Sequence, residues 1–179
     1  NHPYDDFKKC LVIGGSGLLG YEIANQLYNM GKSVKILDII SANDRRFDEI
    51  IGDIRVKEDI YNACEDVDIV FQTAAAVWDP KSPKDLYDEV NIKGNRNVIE
   101  VCLDLKISKL IYTSTMDVVV DGKKPIRDGD ERIPYPKKMP TDPYCKTKII
   151  AEKMILDVNQ EQLLTCSLRP VGMYGPRDK

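Results

Sequence analysis

The sequence predicts a doubly wound α/β fold around a parallel sheet, in one domain. Three observations carry this. Strand-like and helix-like patterns alternate along the 179 residues, as successive βα units do. The strand-like runs are short, apolar and mostly without in–out alternation, Ile69-Val70-Phe71 and Leu110-Ile111-Tyr112 among them. Runs of that kind suit strands covered on both faces. A glycine-rich turn joins the first such run to the first helical pattern.

In chain order, Cys10-Leu11-Val12-Ile13 forms the first strand, 10–13. Gly14-Gly15-Ser16-Gly17-Leu18-Leu19-Gly20 turns the chain into a helix over 18–30, and Gly31-Lys32 closes it with glycine just past the last turn. Val34-Lys35-Ile36-Leu37 makes the second strand, 34–37, ending in Asp38. Further strands are expected at 49–51, 68–72, 109–113 and 163–168, and further helices at 56–64, 83–105 and 142–158. The crossovers between parallel strands should be right-handed. Residues 120–143 break the rhythm, with Pro125, Pro134, Pro136, Pro140 and Pro143 among many charges. A loop of that length in a compact domain tends to be functional or mobile.

The strand, glycine turn and helix start together make a phosphate cradle. Glycines let the backbone approach a pyrophosphate, and a helix N-terminus offers free N–H donors and a positive dipole end. The ligand class is therefore a dinucleotide. The spacing reads two ways, G-x-G-x-x-G through Gly15, Gly17 and Gly20, or G-x-x-G-x-x-G through Gly14, Gly17 and Gly20. Asp38 lies roughly 20 residues beyond the glycines, where an acid accepts from a ribose 2′-OH and repels a 2′-phosphate. That favours NAD over NADP.

Composition excludes several other classes. The net charge of −3 gives no nucleic-acid signal, and the basic pairs Lys123-Lys124 and Lys137-Lys138 sit among acids, as a solvated loop does. No apolar run approaches the ~18 residues of a membrane helix, and no signal peptide is visible. The five cysteines form no C-x-x-C, and most fall in expected strands or helices. They read as reduced core thiols in a cytoplasmic protein. The only histidine is His2, close to the first residue, so no histidine metal site or Ser-His-Asp triad is expected.

Tyr144-Cys145-Lys146-Thr147-Lys148 follows the long loop, with Asp142 as N-cap and Pro143 at the first helical position. Tyr144 and Lys148 share a helix face, and a nearby ammonium favours the phenolate. A tyrosine so tuned can exchange a proton with a hydroxyl or carbonyl. Tyr4/Lys8 and Tyr28/Lys32 have the same spacing; only Tyr144 begins a helix after the fifth strand and its loop. Thr113-Ser114-Thr115 ends that strand, at the edge where doubly wound sheets bind ligands.

These stretches resemble an extended short-chain dehydrogenase/reductase of the 3β-hydroxysteroid dehydrogenase/isomerase family. The resemblance runs through Gly52-Asp53-Ile54-Arg55, Thr73-Ala74-Ala75, Asn91-Ile92-Lys93-Gly94, Tyr112-Thr113-Ser114-Thr115, Tyr144-x-x-x-Lys148 and Leu168-Arg169-Pro170-Val171-Gly172-Met173-Tyr174-Gly175-Pro176. It implies a Rossmann domain and favours Gly14, Gly17 and Gly20, with Ser16, Leu18 and Leu19, as the cofactor loop. It further implies that Asp53 and Ile54 contact the adenine and that Ala74, Ala75 and Ala76 flank the cofactor. Asn91 would lie behind the nicotinamide, and Pro170, Gly172 and Met173 near its carboxamide, with Thr113 also at the cofactor. Tyr144 would be the acid/base, and Lys148 would lower its pKa and bind the ribose. Thr115 would orient the substrate, with Ser114 as runner-up; the usual residue there is serine. Gln72 stands where relatives often have histidine. Asp117-Val118-Val119 replaces the Val-Tyr-Gly of sugar-nucleotide members, which tilts the reading toward steroids.

The resemblance also implies a homodimer through helices 83–105 and 142–158, and a small-molecule substrate, sterol-like or a nucleotide sugar. Family members continue into a substrate-binding region, so 1–179 is expected to be the NAD-binding domain of a longer enzyme. Two alternatives stay open: a nucleotide-sugar epimerase or dehydratase, and a non-catalytic NAD-binding or dimerisation module.

Overall fold

Six parallel strands form one sheet in the order β3-β2-β1-β4-β5-β6. The computed structural model describes residues 7–77, 79, 81–122 and 125–177. His2, Tyr4 and the Lys123-Lys124 pair lie outside the described residues. The strands are β1 (Lys9–Ile13), β2 (Ser33–Asp38), β3 (Asp48–Ile51), β4 (Ile69–Gln72), β5 (Lys109–Thr113) and β6 (Leu164–Leu168). The helices are α1 (Leu18–Asn29), α2 (Lys57–Cys64), α3 (Lys84–Tyr87), α4 (Asn95–Asp104) and α5 (Pro143–Asp157). The chain reverses its direction of growth between β3 and β4. Neighbouring β1 and β4 therefore open a crevice at their carboxyl ends, the place where such sheets take ligands.

The two faces are built by alternate residues of the same strands. Cys10 and Val12 of β1 pack with Val34, Ile36 and Ile69 against Ala24 and Leu27 of α1. Leu11 and Ile13 turn the other way, with Leu37, Val70, Leu110 and Tyr112, against α2, α4 and α5. Both faces of β1 are thus covered, which is why its sequence does not alternate. β5 and β6 differ from expectation: their burial alternates along the strand. α5 seals the face of Leu110 and Tyr112, while Leu164 and Leu168 stay about half exposed.

Two further differences concern helices. The expected helix 83–105 is helical from Lys84 to Asp104, but seven residues, Asp88–Gly94, form a π-helical stretch between α3 and α4. π-turns widen a helix by one residue and recur at functional sites. Gly94 lets this stretch approach Ile54, whose Cδ1 would sit 2.5 Å from an added Cβ. A short 3₁₀ turn, Met116–Val119, follows β5 and has no counterpart in the sequence reading. The caps appear as expected: Asp142 Oδ1 accepts from Cys145 N at 2.8 Å, Pro143 opens α5, and Gly31 takes φ +77° after α1. No helix among the described residues is long and apolar enough to cross a membrane.

Candidate active site

The glycine turn is shaped by contacts that leave no room for side chains. Gly14 has φ +81°, and a Cβ there would lie 2.7 Å from Ala74 N and from Thr73 Oγ1. A Cβ on Gly20 would land on the Gly14 carbonyl oxygen. Gly17 is more open, and its N–H donates to Gly14 O at 3.1 Å. Gly15 is also required, because its Cβ would meet Ile36 Cβ at 2.5 Å; its demand comes from packing on β2. Gly17 caps α1 without a side chain, and the first turn carries no acid. The N–H groups of that turn remain available to an anion, with the dipole in its favour.

Asp38, the last residue of β2, braces this turn. Its Oδ2 accepts from Ser16 N at 2.9 Å and its Oδ1 from Ile40 N at 3.3 Å. Ser16 Oγ donates in turn to Ile40 O at 2.7 Å. A cleft of about 420 Å³ opens above. Gly14, Gly17, Leu18, Leu19 and Gly20 form one side and Asp38, Asp53 and Ile54 another. Ala74, Ala75 and Ala76 form its floor, and Met173 reaches in from beyond β6. The size falls in the ordinary range of small-molecule sites.

The remaining expected cofactor residues lie around this cleft rather than in its wall. Asn91 is fully buried in the π stretch, where its Oδ1 accepts from Ala76 N at 2.8 Å and its Nδ2 donates to Ala76 O at 3.1 Å. Pro170 O accepts from Met116 N at 3.0 Å, and Gly172 lines a second hollow beside Leu18. Thr113 contributes its carbonyl, described next. Among the described residues, no cluster of three or more His, Cys, Asp or Glu side chains could hold a metal ion.

Thr115, Tyr144 and Lys148 come together where β5 meets the start of α5. Burial pushes the Tyr144 phenol up, the neighbouring Thr115 hydroxyl pulls it back, and the Asp117 carboxylate pushes it up again. The net direction is upward from 10.0. Thr115 Oγ1 donates to Asp117 Oδ2 at 3.0 Å and caps the 3₁₀ turn. Ser114 Oγ is buried without a well-formed hydrogen bond, on the Glu152 side. The geometry thus puts threonine, rather than serine, beside the phenol.

Lys148 departs from the expected picture of an ammonium resting against a phenol. Its Nζ donates to Thr113 O at 2.7 Å and lies 4.5 Å from the centre of the Tyr112 ring. Burial pulls it down from 10.5 to about 7, against the raising influence of Glu152. The spacing on the helix is as read, but the lysine head is held on the strand end. A pH dependence of stability follows. From about pH 7 to 10.5 the unfolded chain binds more protons than the native one, so stability climbs with pH across that window. The slope approaches ~1.4 kcal/mol per pH unit. Lys148→Met is expected to flatten the climb, read as melting temperature against pH; an unchanged slope contradicts the assignment.

Glu152, one turn beyond Lys148, is the group that sequence reading missed. It is fully buried in α5. Its Oε1 accepts from Arg169 Nη2 at 2.7 Å and Tyr135 Oη at 2.6 Å, and its Oε2 from Ser167 Oγ at 2.8 Å. Burial raises the carboxyl, but Arg169 and the hydroxyls more than offset it and hold it below its ordinary 4.5. The hub ties the proline-rich loop, β6 and the segment leading to Met173 onto the helix that carries Tyr144. Breaking such a buried pair from one side costs ~3–5 kcal/mol.

The 3-beta hydroxysteroid dehydrogenase/isomerase family model matches residues 11–179. A sterol-4-alpha-carboxylate 3-dehydrogenase, decarboxylating, of Mus musculus is 42% identical over 175 residues, 96% of this chain and 47% of the relative. A short-chain dehydrogenase/reductase family 42E member 1 of Homo sapiens is 36% identical over 184 residues, 94% and 47% of the two chains. The solved UDP-glucose 4-epimerase of Thermus thermophilus, a complex with NAD, superposes with a TM-score of 0.74 at 28% identity, covering 89% of this chain and 54% of that one. The chain spans about half the length of the curated relatives it matches.

Proposed function

Because this chain belongs to the 3-beta hydroxysteroid dehydrogenase/isomerase family, we propose that it is the cofactor-binding and catalytic part of an NAD-dependent oxidoreductase acting on a secondary alcohol or ketone, with a sterol-like substrate. The observation that carries the reading is the placement of the Thr115 hydroxyl beside the Tyr144 phenol at the end of β5, with Lys148 one turn along α5. A binding module has no need of that set.

The residues fit the cofactor. Gly14, Gly20 and the uncapped start of α1 leave a cradle that a single Cβ would fill, and Asp38, at the end of β2, is placed to accept from a ribose hydroxyl and to repel a 2′-phosphate. NAD, when bound, supplies the hydride acceptor. Thr115 orients the substrate hydroxyl, and Tyr144 takes its proton as the hydride leaves the same carbon; the reverse direction returns the proton to the carbonyl oxygen. Lys148, donating to Thr113 O at 2.7 Å, holds the end of β5 beside the tyrosine. In the oxidising direction the phenolate is the reactive form, so kcat/KM rises with pH through the Tyr144 pKa. Asp117→Asn removes a charge that raises that pKa while keeping an acceptor for Thr115. Its acid limb should move to lower pH by about half a unit to one unit, and a shift upward contradicts the role of Asp117.

The sterol preference rests on the relatives: the sterol-4-alpha-carboxylate 3-dehydrogenase is 42% identical and the UDP-glucose 4-epimerase 28%. That second likeness keeps a nucleotide-sugar epimerase as the rival reading. A screen of the full-length protein with 3β-hydroxysteroids and UDP-sugars tests the choice. NADH formation with steroids supports it, and interconversion of UDP-sugars alone overturns it.

We also infer a homodimer through the 83–105 and 142–158 helices, on a narrower surface than the sequence suggests. Val98, Val101, Cys102 and Ile149 are consumed by the chain's own core. Val90 lines the cleft, whereas Ile150 and Met154 stay partly exposed and would carry the contact.

A further inference from the structure

Four buried polar side chains form a continuous line between the cleft floor and the first turn of α5. Gln72 begins it at the end of β4. Its Oε1 accepts from Ala74 N at 3.0 Å, and its Nε2 donates to Ala74 O at 3.1 Å and to Asn95 Oδ1 at 2.9 Å. Asn95 Nδ2 donates to Asn91 O at 2.7 Å, across the end of the π stretch. Asn91 holds Ala76 by both amide atoms and donates from Nδ2 to Thr147 Oγ1 at 3.1 Å. Thr147 Oγ1 donates to the pair of carbonyls at the start of α5, Pro143 O at 2.9 Å and Tyr144 O at 3.0 Å. All four side chains are at most 1% exposed.

We propose that Gln72, Asn95 and Thr147 are positioning residues which, through Asn91, fix the first turn of α5 and hence Tyr144 against the Ala74–Ala76 floor of the cleft. The proposal rests on the reading of Tyr144 as the acid/base. Three features support it. Gln72 and Asn95 bond amide to amide, Asn95 reaches Asn91 through its backbone carbonyl, and every member is buried, so a break leaves an unpaired group with no water to replace it. The two ends differ in kind: Gln72 fixes backbone that floors the cleft, whereas Thr147 fixes the carbonyls of Pro143 and Tyr144. The π stretch sits between them, and Asn95 Nδ2 bridges its end by holding the Asn91 carbonyl. Proton transfer is sensitive to distance on the ångström scale, and this line spans the gap between floor and phenol-bearing helix.

Hydrogen exchange in the full-length protein tests the line directly. Thr147→Val removes the hydroxyl while keeping the shape, and is expected to raise amide exchange at residues 144–148 about tenfold or more, with β1 unchanged. Thr147→Ser should restore protection. Gln72→Met, at the far end, should loosen the same turn of α5; if it loosens only residues 74–76, the line is not continuous and the proposal is overturned. Unchanged exchange in Thr147→Val overturns it equally. Should Thr147→Val not fold, Gln72→Met alone decides. In turnover with a 3β-hydroxysteroid, Thr147→Val should lower kcat about ten- to a hundredfold and leave calorimetric NAD affinity unaltered. If exchange behaves as expected while Tyr144→Phe remains active, the line stands and the acid/base reading fails.

Discussion

Tyr144→Phe should reduce turnover of the full-length protein by roughly 10²–10⁴-fold while leaving NAD affinity, measured by calorimetry, unchanged. The substitution removes one oxygen from a ring whose packing stays in place. Tyr144 does not line the cleft formed by the glycine turn, Asp38 and the Ala74–Ala76 floor, so binding of the adenosine half does not depend on it. What is lost is the proton acceptor beside Thr115. At neutral pH the phenol is uncharged in the folded and unfolded chains alike, so its raised pKa costs no stability there, and phenylalanine loses only the contact with the Thr115 hydroxyl. Full activity in Tyr144→Phe contradicts the mechanism. Loss of both activity and NAD binding points instead to collapse of the site.

Gly20→Ala should do the opposite, abolishing cofactor binding at its source. Alanine has the higher helix propensity, so an exposed helical glycine would gain stability from the change. Here the new methyl falls on the Gly14 carbonyl oxygen and within 2.7 Å of Thr73 Oγ1. Neither gives way easily: Gly14 is backbone at φ +81°, and Thr73 Oγ1 donates to Ile13 O at 2.7 Å. Overpacking of this kind costs ~1–3 kcal/mol. The relaxation that relieves it displaces the turn from α1, and every ~1.4 kcal/mol of lost fit weakens binding tenfold. A lowered melting temperature together with loss of calorimetric NAD binding is expected. Tight NAD binding in Gly20→Ala contradicts the assignment of the cradle.

The contrast between these two sites shows what the sequence makes legible. The glycine turn could be read because strand, turn and helix start lie within a few residues, although the atoms that exclude side chains there also come from Ile36, Thr73 and Ala74. The start of α5 could be read for the same reason, since Asp142, Pro143 and Cys145 form the cap among themselves. Both alternative glycine spacings proved to have a physical basis. Gly14 and Gly20 touch each other at the turn, while Gly15 answers to Ile36 on the next strand.

Long-range partners carry no such mark. Glu152 meets Tyr135, Ser167 and Arg169 at separations of 15 to 17 residues, and nothing in the pattern of α5 distinguishes it from a solvated acid. Gln72 and Asn95 are 23 residues apart, and the widened turn beside Asn95 has no periodicity that reveals it. The spacing of Tyr144 and Lys148 was legible, but the lysine's direction was not. Once buried, its ammonium settles on the Thr113 carbonyl under the Tyr112 ring, a choice set by the strand rather than by the helix. The alternation of β5 and β6 was likewise missed, because what covers each face depends on where the helices finally lie.

Under the proposed function, the chain carries the cofactor-binding and catalytic residues of a hydroxysteroid-type oxidoreductase that uses NAD. That activity is read most directly as NADH formation by the full-length protein with a 3β-hydroxysteroid and NAD, followed by the absorbance of the reduced nicotinamide. The expected result is NADH with the steroid, much less product when NADP replaces NAD, and none from Tyr144→Phe. Tight NAD binding with no NADH from any 3β-hydroxysteroid would contradict it.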